Sequence, residues 1–178
     1  MKNTTLTWTI LLLSCSLVFG QDYDKISAFG MYHKDLALVQ NDGYFGFIDT
    51  DGKEVVEPQY EEISAFGTYQ SDWALVQNKG LYGFIDTDGK EVVAPQYEEI
   101  SAFGTYQSDW ALVQNNGLFG FIDSDGKEVV APQYEEIFAF GTYHPDWALV
   151  QQNGFYGFID RDGVVVVPVK NSEIPEVK

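Results

Sequence analysis

The chain has 178 residues, of which 45% are hydrophobic and 16% aromatic, and its formal net charge at pH 7 is −17. This apolar content excludes an intrinsically disordered chain in spite of the charge. A strongly acidic protein repels nucleic acid and anionic membranes, so the composition also excludes DNA and RNA as partners.

Residues 1–20 predict a secretory signal peptide. Lys2 is the single early charge, residues 7–19 form an almost wholly apolar run, and the small residue Gly20 follows. Cleavage after Gly20 would give an exported protein of the periplasm, cell surface or extracellular space, with no transmembrane segment in the mature chain. A second interpretation stays open, because the sequence ending at Cys15 is similar to a bacterial lipobox, in which that cysteine would carry a lipid anchor.

A block of 37 residues is written four times and fills nearly all of the remaining chain. A fixed period of this length predicts supersecondary units that stack on copies of themselves and present a repeated outer surface. The four copies and the C-terminal tail that follows them are 23–59, 60–96, 97–133, 134–170 and 171–178.

Each repeat predicts a three-strand antiparallel meander. In the third copy, 110–114 and 118–123 are short apolar strands, and Asn116-Gly117 between them is the strongest two-residue hairpin signal. Residues 128–131 form the third strand, which we expect Pro132 to end. No segment has helical periodicity, so the predicted fold is all-β, with four tandem β-meander repeats.

The second strand of each repeat predicts how the repeats stack. It is apolar on both faces, which indicates that neighbouring repeats cover both sides. Gly120 lies inside this strand, where glycine often marks a close approach of two backbones. Two architectures fit: an open β-solenoid-like array, favoured because such units stack without a fixed copy number, and a small four-bladed propeller-like ring.

An aromatic-Gly-aromatic-Ile-Asp motif recurs in every copy, followed by x-x-Gly-Lys-x-Val and Pro-x-Tyr. The copies of the motif are Phe45-Gly46-Phe47-Ile48-Asp49, Tyr82-Gly83-Phe84-Ile85-Asp86, Phe119-Gly120-Phe121-Ile122-Asp123 and Tyr156-Gly157-Phe158-Ile159-Asp160. This pattern resembles the WG-repeat family of bacterial proteins, although Phe or Tyr replaces the family's tryptophan, so any indole N–H contact is lost. The resemblance implies an all-β repeat array with a binding or structural role, no common enzymatic activity and no cofactor.

Aromatic side chains recur at the repeat period and predict a ladder along the array. Its members are Trp73, Trp110, Trp147, Tyr69, Tyr106 and Tyr143. Such a ladder can stack on sugar rings or hold a quaternary amine by cation–π contact. The alternative is that the same rings pack between repeats, with the tyrosine hydroxyls at the rim.

Pairs of glutamates recur at another fixed offset. They are Glu61, Glu62, Glu98, Glu99, Glu135 and Glu136. Stacked repeats would line these carboxylates into an acidic row, which could dock a basic protein or cations. A solvated edge that prevents unwanted strand pairing explains the same residues.

Four Asp-x-Asp-Gly turns raise the question of calcium. An EF-hand alignment of the first turn puts Pro58 at the position that requires a bidentate Glu, so the pattern favours plain turns. His33 and His144 share one repeat offset, and we interpret both as exposed loop residues. The sequence therefore predicts no metal site and no catalytic residue.

Together these patterns predict an exported, non-catalytic repeat module that binds a protein or cell-envelope component, with a basic partner as one option. The alternative is a carbohydrate- or choline-type ligand-binding module that uses the aromatic ladder. The sequence names neither the partner nor the ligand.

Overall fold

The computed structural model describes residues 22–176, which form four antiparallel four-stranded sheets in tandem and contain no helix. The signal peptide and Cys15 therefore lie outside the described residues. Sheet 1 consists of β1 (Lys25–Ile26), β2 (Leu36–Asn41), β3 (Tyr44–Asp49) and β4 (Glu54–Tyr60). Sheet 2 consists of β5 (Glu62–Ile63), β6 (Trp73–Asn78), β7 (Leu81–Asp86) and β8 (Glu91–Tyr97). Sheet 3 consists of β9 (Glu99–Ile100), β10 (Trp110–Asn115), β11 (Leu118–Asp123) and β12 (Glu128–Tyr134). Sheet 4 consists of β13 (Glu136–Ile137), β14 (Trp147–Gln152), β15 (Phe155–Asp160) and β16 (Val165–Asn171).

Each sheet differs from the predicted meander by a short leading strand. In sheet 3, β9 pairs with β10 through Ile100 and Val113, and a loop then leads to β10. The sequence pattern hides this strand because two residues are too few to show a period of two.

The prediction that Pro132 ends the third strand is wrong, since β12 continues to Tyr134. Phe121 pairs with Val130 but Phe119 pairs with Tyr134, so two residues of β11 span four residues of β12. The intervening bulge accommodates Pro132, which has no N–H to donate to a regular ladder.

The Asn-Gly hairpin prediction is confirmed. Asn115 and Leu118 pair across the turn, and Asn116 and Gly117 have φ values of 52° and 73°. Positive φ at both central residues defines a turn whose twist matches that of the flanking strands.

The predicted close approach at the strand glycine is also confirmed. A Cβ atom at Gly120 would lie 2.3 Å from the carbonyl oxygen of Val130 and 2.6 Å from the nitrogen of Pro132. Glycine is therefore required because the bulged β12 backbone lies directly against β11.

Neighbouring sheets cover both faces of sheets 2 and 3, as the apolar second strand predicts. At the junction between sheets 2 and 3, Phe84 and Val93 of sheet 2 pack on Ala111, Val113 and Ile122 of sheet 3. The same arrangement joins sheets 1 and 2 and sheets 3 and 4. We call these contacts the first, second and third junctions in chain order.

The inter-sheet contacts join consecutive sheets, and none of the four sheets closes into a barrel. The all-β tandem array predicted from the sequence is therefore confirmed, and its arrangement is that of a solenoid-like stack. Burial of a phenylalanine and an isoleucine from opposite faces of each central strand connects every sheet to its neighbours.

Candidate functional site

The first glutamate of each pair holds the hairpin turn of its own sheet. Glu61 accepts a hydrogen bond from the Gly80 N–H at 2.9 Å, and Glu98 accepts one from the Gly117 N–H at 3.0 Å. Glu135 accepts two such bonds at 3.1 Å, from the N–H groups of residues 153 and 154. These three carboxylates therefore have a local structural role that the predicted acidic row did not anticipate.

The second glutamate of each pair remains available to a partner. Glu62, Glu99 and Glu136 lie on the short leading strands and are exposed. In the described part of the chain, their carboxylates make no hydrogen bond or ion pair. Glu99 and Glu136 line one cavity at the third junction, so successive second carboxylates do come together.

That cavity has a volume of about 480 Å³ and is also lined by Tyr106, Phe119 and Phe138. Phe138 stands where the three earlier repeats have serine. At one of those positions the Ser101 hydroxyl accepts a hydrogen bond from the Leu112 N–H at 2.8 Å. Phe138 is larger than serine and therefore extends the lining of the cavity at the third junction.

Most of the predicted aromatic ladder lies in the junctions. The ring of Trp73 is 5.4 Å from that of Phe84 in its own sheet and 6.0 Å from that of Phe103 in the next repeat. Trp110 makes equivalent contacts and is only 7% exposed, while Trp147 is half-buried and stacks on His144 at 4.0 Å.

The ladder tyrosines sit beside these rings. Tyr69 and Tyr106 are half-buried and meet Phe84 on β7 and Phe121 on β11 edge-on, at 5.6 and 5.7 Å. Tyr143, in the loop between β13 and β14 of sheet 4, is 43% exposed. Among the ladder residues, Tyr143 is therefore the most accessible to a ligand and Trp110 the least.

The sequence pattern did not reveal a hydrogen bond between the first residue and a late residue of each of the first three repeats, which at the first two junctions joins one sheet to the next. The Tyr97 hydroxyl donates to Glu128 at 2.9 Å, Tyr60 to Glu91 at 3.3 Å and Tyr23 to Glu54 at 2.8 Å. Burial, together with the neighbouring carboxylate, raises the pKa of Tyr23 and of Tyr60 to about 12. The constant spacing of 31 residues between donor and acceptor was the available signal.

The fourth copy of this contact is absent, because Val165 occupies the position of the glutamate. The pKa of Tyr134 is still raised, by burial alone. The last junction therefore lacks a bond that the first two have.

The Asp-x-Asp-Gly segments are hydrogen-bonded turns. The Asp123 carboxylate accepts the N–H groups of Asp125 and Lys127 at 3.0 and 2.9 Å, and Gly126 has a φ of 79°. This geometry accounts for the first Asp and the Gly of the pattern.

The two histidines lie in different repeats and have different neighbours. His33 meets the ring of Phe66 at 5.6 Å, whereas His144 stacks on Trp147. Among residues 22–176, no three His, Cys, Asp or Glu side chains are grouped in a way that could hold a metal ion. No helix in the same segment is long and apolar enough to cross a membrane.

Comparison with known proteins identifies the repeat. The sequence profile described as "WG containing repeat" matches residues 45–82, 82–119 and 119–154 in succession. No curated protein matches the chain. A crystal structure of Hsv2 from Kluyvelomyces marxianus is similar at 7% identity with a TM-score of 0.31, over 74% of this chain and 47% of that one, so the chain spans about half of that protein's length. On the three consecutive profile matches, the chain belongs to the WG containing repeat family.

Proposed function

We propose that the chain is an exported, non-catalytic module that binds a basic protein or a basic component of the cell envelope. The observation that carries the proposal is the row formed by Glu62, Glu99 and Glu136, which are exposed, unpaired and held at the repeat spacing. A repeated charge on stacked units presents the same group several times, which suits multivalent binding.

The overall charge balance supports a cationic partner. Within residues 22–176 the ion pairs are Lys34–Asp35 at 3.7 Å and Arg161–Asp146 at 3.4 Å, although the chain has 27 acidic side chains. Most of these acidic side chains therefore have no ion-pair partner. Such a field steers basic partners and weakens as salt screens it.

The test is affinity capture with the exported protein as bait, using an envelope extract of the producing cells. A variant that neutralises the row, with Glu62, Glu99 and Glu136 each changed to Gln, should lose the captured component. A matched control with Asp51, Asp125 and Asp162 changed to Asn removes the same number of exposed charges outside the row. If both variants capture the component equally well, the row does not carry the function.

A ligand-binding function is the second candidate, and the third-junction cavity favours it. Tyr106, Phe119 and Phe138 are aromatic residues of its lining, and Glu99 and Glu136 are acidic residues of the same lining. Aromatic rings together with carboxylates suit a quaternary ammonium group better than a neutral sugar.

Calorimetric titration with choline, and separately with a neutral oligosaccharide, tests this second candidate. Phe138→Ser restores the residue of the other repeats and should abolish choline binding without disturbing the row. Heats that are the same for the parent protein and the Phe138→Ser variant would exclude this cavity as the ligand site.

A further inference from the structure

The third junction contains the chain's single arginine, which is held by the protein itself. The Arg161 guanidinium lies 5.4 Å from the ring centre of Phe140. It donates hydrogen bonds to the Gln107 amide oxygen, to the Pro145 carbonyl at 3.0 Å and to Asp146 at 3.4 Å. This junction therefore shows which groups around a junction accept a guanidinium.

The first junction has the same frame without the arginine. Two repeats earlier in the sequence, Phe66 replaces Phe140, His33 replaces Gln107 and Asp72 replaces Asp146. Thr87 stands at the position of Arg161 and is too short to reach across. A phenylalanine and an aspartate are thus retained at the sequence positions that contact the guanidinium in the third junction.

A cavity of about 560 Å³ opens at this point, with His33 and Thr87 both in its wall. Leu36 also lines it, at the position where the other three repeats have tryptophan. The smaller side chain lets the Phe47 and Phe66 rings approach to 5.4 Å, whereas the equivalent rings are 6.1 Å apart at the second junction, with Trp73 against both. Leucine does not fill the remaining space of an indole.

His33 supplies an independent sign of a missing partner. Its Nδ1 atom is buried and has no hydrogen-bond partner within residues 22–176. Buried polar side-chain atoms are nearly always paired, and a neutral imidazole can present Nδ1 as an acceptor. At the third junction the equivalent acceptor, the Gln107 amide oxygen, is satisfied by the guanidinium.

The charges at the rim favour a cation. Asp35, Asp49 and Asp88 line the cavity, and Lys53 is the one basic side chain in its wall. A guanidinium suits this site better than an ammonium, because it is planar, stacks on an aromatic ring and presents several fixed donors. A second copy of the chain cannot supply the group, since its single arginine is already bound within its own third junction.

We propose that the first junction is a docking site for an arginine side chain of a partner protein. The guanidinium would enter the cavity beside His33 and Thr87, and a rotation of the His33 ring away from Phe66 would let Nδ1 accept one of its N–H groups. This inference rests on the proposed binding of a basic partner and names the side chain that the first junction would recognise.

The experiment is an NMR titration of the protein with N-acetyl-arginine amide, followed through the ring resonances of His33 and Phe66. N-acetyl-lysine amide serves as the probe of equal charge. The arginine probe should shift both rings, and the lysine probe should bind at least about tenfold more weakly, because it lacks the planar donor group.

Two variants close the site in different ways. Leu36→Trp restores the residue of the other repeats and fills the cavity without a change of charge, and Thr87→Arg supplies an internal guanidinium. Both should abolish the arginine-dependent shifts. Ser124→Arg is the matched control, since it places the same charge at the equivalent position of the second junction and should leave binding intact.

Binding that survives in both Leu36→Trp and Thr87→Arg, or shifts that are equal for the arginine and lysine probes, would overturn the arginine site. Neither result would affect capture of a partner by the acidic row, which the Glu62, Glu99 and Glu136 variant tests separately. If that variant loses capture but still shows the arginine-dependent shifts, the acidic row fails independently of the first junction, and the two surfaces are distinguished.

Discussion

The second and third junctions have nearly the same apolar contacts but are closed by different polar groups. At both, a phenylalanine and a valine of one sheet pack on an alanine, a valine and an isoleucine of the next. The second junction adds the hydrogen bond from Tyr97 to Glu128, whereas the third has Val165 in place of the glutamate and gains the Arg161 contacts. The apolar surfaces therefore set the stacking, and the polar edges can be exchanged without altering it.

The largest loss of stability should come from replacing the strand glycine, which all four repeats share. Gly120→Ala would place a Cβ atom 2.3 Å from the carbonyl oxygen of Val130, and that contact is with backbone. We expect a loss of more than about 3 kcal/mol in the free energy of unfolding, above the usual range for overpacking. Urea denaturation measures it, and a loss below 1 kcal/mol would show that the bulge can move away.

A second comparison isolates the contact between sheets at the Asp-Gly turns. Gly52 and Gly126 both have a φ of 79°, but only Gly126 meets the preceding sheet, where a Cβ would lie 2.7 Å from Val93 Cγ2. Substitution by Ala strains the backbone equally at both positions. Gly126→Ala should cost about 1–3 kcal/mol more than Gly52→Ala, and equal losses in urea denaturation would contradict an inter-sheet role for this turn.

The tyrosine hydroxyl should contribute to stability only where a glutamate of the next sheet accepts its hydrogen bond. Tyr97→Phe removes the bond to Glu128 and should destabilise the protein by about 1–2 kcal/mol. Tyr134→Phe should change stability by less than about 0.5 kcal/mol, because Val165 offers no acceptor. Val165→Glu should then make the protein sensitive to Tyr134→Phe, and a double-mutant cycle measures that coupling.

The equivalent hydrogen bond from Tyr60 to Glu91 predicts that the free energy of unfolding depends on pH in the alkaline range. The pKa of Tyr60 is raised from 10.0 to about 12 by burial and by the Glu91 carboxylate. Since the raised pKa belongs to the folded state, the contribution to stability is complete below pH 10 and is lost as the pH rises toward about 12. The difference in unfolding free energy between the parent and Tyr60→Phe should shrink over this interval, and a constant difference would contradict the assignment.

The smallest effect should come from the hairpin turns. Lys79 has a φ of 53° where the third repeat has Asn116 at 52°, and Asn tolerates this left-handed region better than Lys. Lys79→Asn should stabilise the protein by up to about 1 kcal/mol, and Asn116→Lys should destabilise it by a similar amount. The double exchange keeps the net charge and should have almost the parent melting temperature.

The sequence by itself determined the repeat, the all-β class, the hairpin turns and the strand glycine. Each of these depends on residues close together in the chain: Asn116-Gly117 forms its turn from two adjacent residues, and Gly120 is marked by its place inside an apolar strand. The period of 37 residues then carried the local prediction over to all four copies.

The tertiary structure alone decided what each side chain does in the stack. Glu98 and Glu99 are adjacent and alike in sequence, but only Glu98, which lies in the bend between β8 and β9, reaches the Gly117 N–H, whereas Glu99 lies on β9 and is exposed. In the same way, Leu36 opens a cavity and His33 lacks a partner only because sheet 2 brings Phe66 and Thr87 against them. Both relations join residues that are distant in the chain, and the second joins residues of different repeats. A sequence period gives no information about which of these residues come into contact.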